Sequence, residues 1–120
     1  NKMIYYMNLA NLPYKMIKSR QKNIEMRLDD ERRKNLKVND YIIFTHRDEP
    51  SLKLKVLVTN LYRYNSFDEL YKHHSKASIG YLENEVADPK DMEQYYSKDQ
   101  IAKYGALAIE IKLIGECYDK

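Results

Sequence analysis

The rhythm of apolar and polar positions predicts a sequence of short elements. Residues 3–9, MIYYMNL, are rich in strand formers and stop against Asn11 and Pro13, which predicts a first strand. A helix should follow, with Asn11 as N-cap, Pro13 in the first turn, and Tyr14 and Ile17 at helical spacing toward Lys18 and Arg20. Ile24, Met26 and Leu28 then alternate with Asn23, Glu25 and Arg27, the period-two pattern of a half-buried strand. Glu25 and Arg27 must share one face of it. A helical turn over Glu31–Asn35 and a turn at Asn39-Asp40 lead to strands over Tyr41–Thr45 and Leu52–Leu61.

Helix-start signals dominate the second half. Ser66 with Glu69, and Ser97 with Gln100, have capping-box spacing before Leu70–His74 and Ile101–Tyr104. Asp88-Pro89 opens a short helix that carries Met92, Tyr95 and Tyr96. Gly105 ends the helical stretch, and Ala106–Ile114 alternates as a last strand. About five strands with helices inserted rather than strictly alternating predict an α+β fold or a small, partly open barrel.

Composition narrows the class. The 120 residues are one domain's worth of chain, 43% hydrophobic, with no apolar run near the roughly 20 residues of a membrane helix. That excludes a membrane helix and a two-lobed enzyme within these residues, and a cytoplasmic location is the expectation. One cysteine, Cys117, cannot form an intrachain disulfide or a thiolate zinc cage. No P-loop, dinucleotide fingerprint or metal-ligand spacing occurs, so neither a cofactor nor a metal is expected. His73 and His74 are adjacent and cannot chelate as an i, i+4 pair does.

The formal charge of +3 conceals two opposed segments. Lys15 to Lys37 holds nine basic residues against four acidic ones, whereas Glu83 to Asp99 holds six acids against two lysines. Each segment taken alone reads as a solvated face. Twelve tyrosines are less informative, because an A/T-rich codon bias enriches tyrosine, lysine and asparagine together.

The stretch Arg20-Gln21-Lys22-Asn23-Ile24-Glu25-Met26-Arg27 resembles the Gly-x-Lys-x-x-Glu-x-Arg signature of the ASCH domain, in the PUA-like β-barrel superfamily. Leu9-x-x-x-Pro13-Tyr14, Asp30-Glu31-x-Arg33, Val38-Asn39-Asp40, Ser66-Phe67-x-Glu69-Leu70, Met92-x-x-Tyr95-Tyr96 and Tyr104-Gly105 are similar to small bacterial members, so the resemblance covers nearly all of residues 1–120. The departure is Arg20, where the family has glycine. If that glycine serves a positive φ or a close approach, Arg20 narrows the gap and adds a cation.

The resemblance implies a mixed barrel of about five strands and a cleft for RNA or a nucleoside-like ligand. Lys22, Glu25 and Arg27 would line it, Lys18, Arg20 and Arg33 would add cations, and Tyr81 and Tyr95 would stack on bases. Tyrosines at such spacing are more often half-buried core. A related ASCH amidohydrolase that deacetylates N4-acetylcytidine uses a Lys at the position of Lys22, a Thr three residues on and a downstream Glu. Here Glu25 replaces the Thr, and neither Glu83 nor Glu85 aligns as the acid. A neutral Lys22 would be a base, with Glu25 activating water; a charged Lys22 paired to Glu25 would instead bind phosphate. Three readings follow: a binding module, a deacetylase of modified cytidine, and a structural domain in which a Lys–Glu–Arg network fastens the first helix to the barrel. Oligomeric state stays open.

Overall fold

A computed structural model of the chain describes residues 2–118. Five strands form one sheet: β1 (Ile4–Leu9), β2 (Ile24–Leu28), β3 (Tyr41–His46), β4 (Lys53–Tyr64) and β5 (Ala106–Cys117). Their spatial order is β1-β3-β4-β5-β2; β1 pairs with β3 in parallel and all other pairs are antiparallel. The sheet curls into a half-barrel with β1 and β2 as its edges, which agrees with the predicted α+β, barrel-like class.

The helices interrupt the sheet where the sequence places them, with local corrections. The first, α1 (Asn11–Lys18), is capped by Ala10 without a side-chain bond. Asn11 is therefore not the N-cap; its Oδ1 accepts instead from His46 Nε2 at 3.0 Å, a tertiary contact that outcompetes local capping. The ring orientation follows from the backbone, since His46 Nδ1 accepts from the amides of Asp48 and Glu49. Helix α2 (Phe67–His73) has the Ser66 cap, but Glu69 pairs with Lys72 rather than closing the box. A 3₁₀ turn over Pro89–Gln94 is capped by Asp88, so Tyr95 and Tyr96 follow it rather than ride on it. Helix α3 (Lys98–Tyr104) has the complete box of Ser97 and Gln100. Residues 31–35 form hydrogen-bonded turns rather than a helix.

Both faces of the sheet are covered. Inside the curl, Met7, Leu9, Ile42, Phe44, Leu54, Val56, Val58, Leu107 and Ile109 pack with Tyr14 and Ile17 of α1. Outside it, Ile24, Met26, Leu28, Ala106 and Ala108 lie under Phe67 and Leu70 of α2. One bulge serves both layers. Between Val58 and Asn60 the β4–β5 register slips by one residue, which flips every later side chain to the opposite face. Leu61 thus continues the inner core while Tyr62 and Tyr64 join the outer one. The slip also bends the long β4 strand, as closure toward a barrel requires.

Candidate functional site

The register of β2 against β5 determines where the motif points. Glu25 lies opposite Ile109 and Arg27 opposite Leu107, and directly opposed residues share a face. Both side chains therefore enter the curl at its rim, where the β2 edge approaches the β1 edge. The strand is not half-buried as the alternation implies: Glu25 is only 5% exposed, and every residue of the strand but Arg27 is buried. A polar face of a strand is wet only if nothing covers it, and here the opposite edge and a loop do.

Three charges are linked in that space. Glu25 Oε1 accepts from Lys22 Nζ at 3.2 Å, and Oε2 accepts from Arg27 Nε and lies 2.7 Å from its Nη2. Lys22 Nζ also donates to the Ile79 carbonyl at 3.2 Å, and Arg27 Nη2 to the Asn8 carbonyl at 2.8 Å. The network joins β2 to β1 and to the loop at 79, not to α1 as the structural reading supposes. Burial alone would push the Glu25 carboxyl up, but the charges of Lys22 and Arg27 and their hydrogen bonds hold it below the ordinary carboxylate range.

The loop that holds Lys22 is sewn along the motif strand. Asn23 and Ile24 both donate to the Ser78 carbonyl, and Gln21 Nε2 reaches the Tyr81 carbonyl. Gly80 has φ +104°, and a Cβ there would stand 3.0 Å from Lys22 Cδ, so the lysine stem packs on bare backbone. Ile79 and Gly80 escape a reading by residue type, since one contributes only a carbonyl and the other only space. The scarcity of glycine, three in 120 residues, is the one available signal.

The other expected residues divide. Arg33 is buried and pairs with Asp30 at 2.8 Å, and Asp30 lies within electrostatic reach of Arg27. Tyr96 is half-buried, stacks on Phe67 and feels Arg27 and Glu25, whereas Tyr95 is 66% exposed beside it. Tyr96, not Tyr95, is the tyrosine drawn into the motif's surroundings. The Tyr81 hydroxyl is committed to Tyr71 and Asp91, which clamps the 3₁₀ turn to α2, and burial with these partners pushes it far up. Lys18 pairs with Glu116 on the exposed surface. Arg20 lies outside the ion network at φ 69°, the left-handed conformation that its glycine position implies. Glu85 accepts from the Leu82 amide, the Glu83 and Glu85 carbonyls take Lys76, and neither carboxylate meets Lys22. Among the described residues no cluster of His, Cys, Asp and Glu could hold a metal ion, and no helix is long and apolar enough to cross a membrane.

A half-barrel with this motif at its open edge is the arrangement of one protein class. The ASCH domain model matches residues 7–115, and the chain belongs to that family. The chain is similar to the hypothetical protein PH0355, known from a crystal structure, at 32% identity and TM-score 0.78, with 93% of this chain and 100% of that one covered. It also matches the protein PF0455 from Pyrococcus furiosus, solved by NMR, at 29% identity and TM-score 0.68 over 93% and 98% of the two chains. The ASCH protein from Zymomonas mobilis shares the fold at TM-score 0.57 and 13% identity, over 93% of this chain and 68% of that one. No curated protein matches.

Proposed function

We propose that this ASCH protein binds RNA or a nucleoside-like ligand at the mouth between the β1 and β2 edges. The observation that carries the reading is an uncompensated charge in a nearly dry place. Lys22 and Arg27 share the single carboxylate of Glu25, two cations against one acid, while Arg33 is matched by Asp30. A buried excess cation is costly without a counter-charge, and a phosphate or a carbonyl-bearing base edge supplies one. Family membership supports the class of ligand.

The test is fluorescence anisotropy of a labelled single-stranded RNA 12-mer, titrated at about 50 and 200 mM salt. Binding should weaken with salt, and Arg27→Ala, checked for folding by circular dichroism, should weaken it further. No binding by the wild type at the lower salt refutes the reading.

A further inference from the structure

Beside the mouth, between the end of α1 and β5, lies a groove of about 370 Å³. Its floor is apolar, formed by Ile17, Ile111 and Leu113, and its rim is cationic, formed by Arg20, Lys22 and Lys112. No carboxylate lines it. Lys22 turns its ammonium away to Glu25 and Ile79, so only its stem borders the groove. Arg20 and Lys112 are different: among the described residues the side chain of neither has an ion-pair or hydrogen-bond partner. That sets them apart from Lys18, Arg33 and Lys34, each of which has an acid.

The backbone adds an independent observation. Arg20 holds φ 69°, a conformation that costs an L-residue energy and that glycine adopts freely. Strain of this kind persists where the surrounding structure holds it, and it clusters at binding and active sites. The helix end beneath it is closed by the amides of Ser19, Arg20 and Lys22, which donate to the carbonyls of Lys15, Ile17 and Met16.

We infer that this groove is a second subsite for the same strand: Arg20 and Lys112 hold a backbone phosphate, and the apolar floor takes the face of the adjoining ribose or base. A volume of this size suits one nucleotide unit. The inference rests on the mouth being an RNA site, and Lys22 borders both.

The experiment uses the same labelled RNA 12-mer with Arg20→Gly and Lys112→Ala. Each variant should bind about fivefold more weakly at low salt, with a salt slope shallower by about 0.7, as expected for one lost phosphate contact on a single strand. Arg20→Gly should at the same time melt about 2 to 5 °C higher, since it releases backbone strain, which separates lost binding from lost folding. Wild-type binding at low salt with both variants unchanged overturns the groove and leaves the mouth standing. Absence of wild-type binding overturns both. Equal competition by polyglutamate of matching charge would overturn the nucleic-acid occupant.

Discussion

Replacing Glu25 by glutamine removes one charge and almost no volume, and so isolates the electrostatics of the buried motif. In the native protein the carboxylate lies 3.2 Å from Lys22 Nζ and 2.7 Å from Arg27 Nη2. At an effective dielectric near 20 each contact is a gross attraction of about 5 kcal/mol, largely offset by the cost of drying the ions. Removing only the anion takes away the attraction and leaves two cations desolvated, which typically costs about 3 to 5 kcal/mol. Glutamine can still accept one hydrogen bond, so about 3 kcal/mol is the expected loss. For a domain with a urea slope of about 1.5 kcal/mol per molar, the unfolding midpoint should fall by about 2 M. Changing Lys22→Met, Glu25→Leu and Arg27→Met together should restore most of the loss, because unpaired charge rather than lost contact is the cause. The native Glu25 pKa is depressed, so its stabilisation is full above the unfolded value of 4.5 and is lost as pH falls through the lower folded value. The wild-type midpoint should therefore fall in acid below pH 4.5 more steeply than that of Glu25→Gln. A midpoint shift under about 0.5 M, or parallel acid profiles, would refute a dry, charge-held motif.

Three further substitutions test the parts around it. Gly80→Ala places a Cβ 3.0 Å from Lys22 Cδ at φ +104°, and should cost about 1 to 3 kcal/mol in urea unfolding; it should also weaken RNA binding by displacing Lys22. Gly105→Ala meets the Tyr64 carbonyl oxygen at 2.6 Å, backbone that cannot swing aside, and should destabilise by about 2 kcal/mol or more by calorimetry. Ser97→Ala breaks a complete capping box and should cost about 1 kcal/mol, more than Ser66→Ala, whose box is only half made; equal midpoints for the two would contradict the difference.

What the residues reveal and what they conceal follow different physics. Strand content was legible because alternation at Ile24–Leu28 and Ala106 onward records which face each residue takes. The length of β4 was not, since nothing in Val58-Thr59-Asn60 announces a bulge, and the bulge is what lets Tyr62 and Tyr64 continue the strand on the outer face. The shared face of Glu25 and Arg27 could be read from period two. Their burial could not, because it depends on the β1 edge and the loop at 79 arriving from remote sequence. Tyr95 and Tyr96 are indistinguishable by type, and a 3₁₀ turn before them rotates Tyr96 inward by an amount that helical spacing does not predict. Asn11 reads by sequence as the cap of the first helix, but its side chain is taken by His46, which lies 35 residues away.

Lys22 decides how binding and catalysis relate at this mouth. Its Nζ has two acceptors, a carboxylate and a carbonyl, both at 3.2 Å. Proton abstraction needs the lone pair of an amine directed at the substrate, whereas two of the Nζ contacts are already made to Glu25 and Ile79. An amidase at this mouth would first have to move the lysine off both partners, against the attraction of a buried carboxylate. It would also have to find its water-activating acid elsewhere than Glu83 or Glu85, whose contacts lie along their own turn. Recognition asks for neither change. A phosphate or base edge entering beside Arg27 meets the net positive charge as it stands, with Glu25 fixing the guanidinium plane and Asn8 its reach toward β1. The carboxylate that accepts from Lys22 Nζ is the same group that orients Arg27 as a donor, so any change that moves the lysine off Glu25 loosens the arginine.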